Sequence, residues 1–171
     1  MKHDLELVTA ELEIRKVLGR YCRSFDRLDR ELAYSVWHPD GTAHYIERPV
    51  MPARQFIDQI LESLKTRHAR SHQITNMVLE VSGDRAVSEA YGVACLLDVT
   101  DGLIISQNFH GRYLDQWSRR DGRWALDHRR YVADCYMTST CPAEKFSQTA
   151  LQIGKPGKDD PSYALFASLG K

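Results

Sequence analysis

Three short turn signals constrain this chain more than any other feature. Ser82-Gly83-Asp84, Asp101-Gly102 and Asp121-Gly122 separate four runs, residues 71–82, 85–98, 103–118 and 123–136. Those runs are rich in β-branched, aromatic and alternating residues. Glycine-containing pairs between such runs are the strongest short-range hairpin signal a sequence offers. Four strands joined by three hairpins make an antiparallel meander. Several runs exceed the usual strand length of about five or six residues, so the sheet is expected to bend strongly, at bulges.

Upstream of the meander the period changes. Over residues 5–29, Ile14, Val17, Leu18, Tyr21, Cys22, Phe25 and Leu28 recur at spacings of three and four, which predicts a helix with one apolar stripe. Lys16, Arg20, Arg23, Arg27 and Arg30 fall on the opposite face and are expected in solvent. Asp26 does not join them. It lies about 40° from Cys22, on the border of the stripe. An acid there is either a helix-edge solvent group or a carboxylate facing a cavity. A second short helix is expected near 29–37, with Asp29 as its N-cap and Trp37-His38-Pro39-Asp40-Gly41 as its stop. Residues 42–47 read as a short strand, 48–52 as a loop, and 53–67 as an amphipathic helix with Phe56, Ile57, Ile60, Leu61 and Leu64 on one side.

Helices first and a long bent meander after them predict an α+β fold, the helices packed on one concave face. Residues 1–140 read as that domain and 141–171 as its C-terminal extension. Within the extension, 154–161 is linker-like, and Tyr163-Ala164-Leu165-Phe166 is an apolar cluster able to dock on the body or on a neighbouring subunit.

Charge excludes some partners. Lysine plus arginine and aspartate plus glutamate number 23 each. A neutral chain has no global field to draw in nucleic acid or an anionic membrane, and Arg129-Arg130 reads as a solvated strand face. No run of about 18 apolar residues is present, and the N-terminus leads into a charged amphipathic segment rather than an apolar signal core. Cys22, Cys95, Cys135 and Cys141 show no Cys-x-x-Cys spacing, and their neighbours are mostly core-like. They read as reduced thiols of a cytosolic protein.

The chemical candidates start with His72. Period-two alternation places it on one face with Ile74, Asn76 and Val78. A histidine there is either a hydrogen-bonded rim residue or a general base, because imidazole titrates near neutral pH. A base needs a carboxylate on its other ring nitrogen to fix the tautomer and stabilise the imidazolium, and Asp26 is the candidate. Tyr21 and Tyr45 can polarise a carbonyl or protonate a leaving hydroxyl, or serve simply as pocket wall. His110 shares a strand face with Asn108 and Arg112. Arg130 can hold an anionic group or lie in solvent. His68 and His72 have the spacing of a helical metal pair, but the helix should end before residue 70 and no third ligand stands at a telling distance. No phosphate loop, nucleophile elbow or dinucleotide fingerprint is present, so neither metal nor cofactor is expected.

An ordered set of short motifs spans about residues 10–135. It comprises Ile14-Arg15-Lys16-Val17-Leu18-Gly19-Arg20-Tyr21 leading to Phe25-Asp26, His38-Pro39-Asp40-Gly41, Ser71-His72-Gln73-Ile74-Thr75-Asn76, Gly83-Asp84-Arg85-Ala86, Gly111-Arg112-Tyr113, Arg119-Arg120-Asp121-Gly122-Arg123-Trp124 and His128-Arg129-Arg130. The set resembles the SnoaL-like branch of the NTF2-like superfamily. Within it the chain is similar to scytalone dehydratase, hexachlorocyclohexane dehydrochlorinase and the bile-acid dehydratases. That resemblance implies a cone-shaped fold and a cofactor-independent lyase. Its aspartate lies late in the first helix and its histidine at the start of the long strand, the places of Asp26 and His72. The bile-acid enzymes carry a tyrosine one helical turn before the aspartate; Tyr21 lies five residues before Asp26. Their further acidic residue on the second long strand is absent, with Cys95 nearby. Scytalone dehydratase uses a second histidine, for which the resemblance offers His110 as the candidate counterpart.

The expected activity is a dehydratase-type elimination, or carbon–carbon cleavage, on an apolar ring-containing substrate such as a polyketide, steroid or lignin-derived aromatic. Three other readings remain. Ketosteroid-isomerase-like chemistry relies on acidic bases rather than a histidine. A structural subunit, like the small subunits of ring-hydroxylating dioxygenases, predicts a filled cone. A ligand-binding protein would keep the pocket without turnover. A long exposed sheet face calls for a cover, so a homo-dimer or homo-trimer is expected.

Overall fold

The computed structural model describes residues 2–45, 49–144 and 154–169. In chain order these form α1 (Lys2–Asp26), α2 (Arg30–Ser35), β1 (Trp37–Tyr45), β2 (Met51–Pro52), α3 (Ala53–Lys65), β3 (Ala69–Ser82), β4 (Arg85–Thr100), β5 (Leu103–Arg120), β6 (Arg123–Pro142) and, after a 3-10 turn at Gly157–Asp159, α4 (Pro161–Ala167). The strands make one sheet in the order β2-β1-β6-β5-β4-β3. β1 runs parallel to β6, and every other pair is antiparallel. Helices α1, α2 and α3 pack on the concave side, so the α+β architecture matches expectation.

All three hairpins turn where the sequence signals them. Asp101 and Gly102 both adopt positive φ, as do Asp121 and Gly122, which is what a two-residue type I′ turn requires. Gly83 takes positive φ at the first central position, the placement of a type II′ turn. The strands run longer than expected, up to 20 residues in β6. Bulges bend them, between Ile74 and Met77 on β3 and beside His110 and Gln116 on β5–β6.

Several expectations need correction. The β3 bulge flips the alternation, so Met77, Leu79 and Val81 join His72 and Ile74 on the inner face, while Asn76 and Val78 face outward and are exposed. Proline and glycine do not precede the first strand but lie inside it. Trp37–Tyr45 is one strand, irregular between Trp37 and Thr42 in its pairing with β6. Residues 46–48, the end of the expected strand and the start of the expected loop, lie outside the described residues. Helix α1 stops at Asp26 rather than 29 because Leu28 enters the left-handed region (φ 53°). There Leu28 N–H donates to Phe25 carbonyl and Asp29 N–H to Ser24 carbonyl, at 3.3 and 2.8 Å. Those paired bonds form a Schellman stop. Asp29 then caps α2 as expected, accepting from Leu32 N–H at 3.0 Å.

The basic face of α1 is partly covered. Arg23 lies against the rings of Tyr163 and Phe166, Arg27 pairs with Asp160, and Tyr163 hydroxyl donates to Asp29. The C-terminal cluster therefore docks on the chain's own body. All four cysteines are free, but only Cys22 is core-like; Cys95 is half-buried, and Cys135 and Cys141 are exposed. Burial pushes the Cys22 thiol up to about 12, so it is no thiolate at neutral pH.

Candidate active site

The Schellman stop makes Asp26 the last helical residue of α1, beside the edge strand β3. Arg70 ties this corner down. Its Nε donates to Asp26 carbonyl at 3.2 Å and its Nη1 to Leu64 carbonyl at 2.7 Å, gathering the ends of α1 and α3. The Asp26 carboxylate reaches across to His72. It accepts the His72 backbone N–H at 2.9 and 3.2 Å and lies 2.7 Å from Nδ1. An ionised carboxylate can only accept, so Nδ1 carries a proton, and in the neutral imidazole Nε2 keeps its lone pair. Among the described residues, no protein group bonds Nε2. Both side chains are mostly buried, 11% exposed for His72 and 15% for Asp26.

His72 helps to line a cavity of about 180 Å³ whose other walls are mainly aromatic: Tyr21, Phe25, Tyr45, Phe56, Phe109, Tyr113 and Tyr131, with Leu64 and Leu96. Tyr45 stacks between Phe56 and Tyr131, at 4.1 and 5.5 Å between ring centroids. Its hydroxyl meets that of Tyr21 at 2.6 Å. Burial raises Tyr21, Tyr45 and Tyr113 above the ordinary phenol range, so all three stay protonated and act as donors rather than bases.

Beneath the tyrosines lies Arg129, read from the sequence as part of a solvated strand face, paired with Asp115, which the sequence reading did not single out. Arg129 and Asp115 are fully buried and bonded twice, Nε to Oδ1 at 2.7 Å and Nη2 to Oδ2 at 2.6 Å. The guanidinium sits 4.1 Å from the ring centroids of both Tyr21 and Tyr113. Desolvation works to strip its proton, but the Asp115 carboxylate overrules that and holds it protonated. Burial raises Asp115 in turn, and the guanidinium opposes the rise. Arg129 Nη1 is buried with no hydrogen-bond partner among the described residues. The only signal in the sequence was alternation: Arg129 shares a face with the inward Tyr131, and Asp115 with Tyr113.

The structure thus brings together Asp26, His72, Tyr21 and Tyr45. It separates His110 and Arg130 from them. His110 pairs across β4 with Val93, on the convex face, while its neighbour Phe109 points into the cavity. Arg130 is exposed beside a convex hollow that it shares with Val78, Glu80 and His128. Helix α3 ends at Lys65, so His68 and His72 share no helix.

A family model described as the SnoaL-like domain matches residues 6–130. The chain belongs to the SnoaL-like family. No curated protein matches this SnoaL-like chain. Among solved structures it is similar to the Kfla4162 protein of Kribbella flavida, with 23% identity, a TM-score of 0.70, and coverage of 77% of this chain and 95% of that one. A type 2 hexachlorocyclohexane dehydrochlorinase (LinA) gives 16% identity and a TM-score of 0.70 over 90% and 99%. A scytalone dehydratase candidate from Novosphingobium aromaticivorans gives 18% and 0.68 over 90% and 96%. At such identities the likeness establishes the shared fold and leaves the reaction to the site.

Proposed function

We propose that this SnoaL-like protein is a cofactor-independent lyase that eliminates water from a small, apolar, ring-containing substrate. The Nδ1–Asp26 bond, which leaves Nε2 of His72 free at the wall of an aromatic cavity, carries the reading. Nε2 takes a proton from a carbon made acidic by a neighbouring carbonyl or aromatic system. The C–H electron pair forms the new double bond, and the hydroxyl leaves as water with the proton handed back by the His72 imidazolium, which restores the neutral base. Asp26 stabilises the transient imidazolium. One hydroxyl of the Tyr21–Tyr45 pair donates to the other, which donates to the oxygen on which negative charge builds, and Arg129 supports them with fixed positive charge in a poorly hydrated site. The same base can break a carbon–carbon bond when the leaving group is carbon. A cavity within the cone supports a ligand-binding site over a purely structural subunit. Val78, Val87, Val99 and Met137, exposed on the convex face, support assembly into a homo-dimer or homo-trimer.

Hydroxylated cyclic ketones and lignin-derived phenols that carry a side-chain hydroxyl, offered to the wild type, His72→Ala and Asp26→Asn with product mass as readout, test the reading. A product lighter by one water, falling about a hundredfold or more in both variants, is the expected result. Turnover indifferent to both substitutions would overturn it.

A further inference from the structure

His72 belongs to two walls at once. One bounds the cavity of about 180 Å³. The other bounds a groove of about 350 Å³ between α1 and the edge strand β3. Two local features shape that groove. On α1, Gly19 leaves the helix surface open, and a Cβ built there would meet nothing within 4 Å. On β3, the bulge between Ile74 and Met77 supplies Thr75 and Met77 as the opposite wall.

The cavity alone is small. A dry apolar cavity of about 150 Å³ is filled by one benzene, so a single six-membered ring occupies most of the space here. The rest of any larger substrate must lie outside the cavity, and the groove is where His72 meets it. Arg15 is the one side chain of fixed charge on the groove wall, where Cys22 keeps its thiol proton and His72 is the base of the reading above. It is 46% exposed, and its hydrogen-bonding partner is Glu11, one turn back on the same helix. From Cys22 to Arg15 the helix advances about 10 Å, the reach of a short alkyl chain.

We propose that the site takes a two-part substrate. One apolar ring fills the cavity, and an acyclic arm passes His72 into the groove and ends in a carboxylate facing Arg15. The inference deepens the lyase reading and rests on it only for which atom reacts, because that reading puts the reacting carbon at the junction of ring and arm. A fused multi-ring skeleton, such as a steroid nucleus, is too large for the cavity.

Calorimetric binding of three probes tests this: 6-phenylhexanoate, its neutral counterpart 6-phenylhexan-1-ol, and the ring-only p-cresol. The wild type is expected to bind the acid most tightly and p-cresol least. Gly19→Phe fills the groove from an exposed helix position and should weaken both arm-bearing probes about tenfold or more, leaving p-cresol unchanged. Arg15→Gln should erase only the gap between acid and alcohol. Gly19→Leu, with its melting temperature measured, guards against a folding artefact in the bulkier variant. Equal weakening of all three probes by both Gly19 variants, or no effect on any, would overturn the two-part site. Because the readout is binding, a chain that binds in this pattern yet turns nothing over retains the two-part site and loses the lyase reading. Turnover with a flat binding pattern does the reverse.

Discussion

The two faces of the β3–β6 sheet carry the same kinds of residue and use them in opposite ways. Both faces hold an arginine–carboxylate arrangement. On the concave face Arg129 and Asp115 are wholly buried, bonded twice, and bracketed by aromatic rings. On the convex face Arg112 joins Asp134 and Glu89 at 2.9 and 3.3 Å with water at hand. Both faces also hold histidines. His72 is locked by a carboxylate against a cavity, whereas His110 looks outward from β5. Which face a residue meets, and not its type, decides what it can do. Removing Arg129 breaks this contrast most severely. Arg129→Leu strands the Asp115 carboxyl in the core and should cost about 3–5 kcal/mol, read from urea denaturation. Arg112→Ala should leave the unfolding midpoint nearly in place. Replacing both buried partners by apolar residues (Asp115→Leu with Arg129→Met) should restore most of the stability but not the activity, which separates the pair's electrostatic role from its packing.

The next contrast is catalytic. Tyr45→Phe keeps the stack on Phe56 and Tyr131 but removes one donor and leaves the Tyr21 hydroxyl without its partner at 2.6 Å. Loss of one such donor lowers kcat by about a hundredfold or more. Tyr91 is 37% exposed and opposes Arg112 on the convex face; Tyr91→Phe should leave kcat unchanged.

These faces were only partly legible in the sequence. The hairpins were, because an Asp-Gly or Gly-Asp pair supplies positive φ by local chemistry alone. Asp26 was, because helical angle is a local quantity. Distinguishing inward from outward on the strands was harder, because one bulge reverses every side chain beyond it. That is how Asn76 and Val78 were misplaced on β3. The reading of Arg129-Arg130 as one solvated pair failed for a related reason. Neighbours on a strand point to opposite faces, and only an opposing carboxylate across the β5–β6 ladder makes an inward arginine tolerable. That partner, Asp115, is 14 residues away in sequence, and its pairing depends on register. The covered basic face of α1 was hidden likewise, since its cover comes from residues 154–168, far along the chain.

Glycines sharpen the comparison at smaller magnitude. Gly111 lies on the inner face beside the β5–β6 bulge, where a Cβ would press on Val132 carbonyl and Tyr131 hydroxyl. Gly111→Ala should destabilise by about 1–3 kcal/mol through forced displacement. Gly19 lies on α1 with open space around it. There Gly19→Ala should stabilise by about 0.5–1 kcal/mol, because alanine loses less backbone entropy in a helix. Opposite signs in thermal unfolding are the expected outcome, and matching signs would mean that Gly111 relaxes without strain.

The smallest effect belongs to His128, beside the convex hollow. Its Nδ1 lies 2.8 Å from Thr42 hydroxyl. Partial burial lowers its pKa below the ordinary 6.5, with His44 and Arg130 adding to the drop and Asp115 opposing it. A lowered imidazole pKa means that the unfolded chain binds the proton first as pH falls. Stability therefore declines from about 6.5 down to the folded value, and is flat above that window. His128→Asn removes the titrating group, so its stability relative to wild type should improve as pH drops through that range. An NMR titration of His128 should show it less than half protonated where a free imidazole is half protonated. A titration at the ordinary value would mean that this part of the convex face is as open to water as its surroundings, and the difference between the two faces would then rest on the concave side alone.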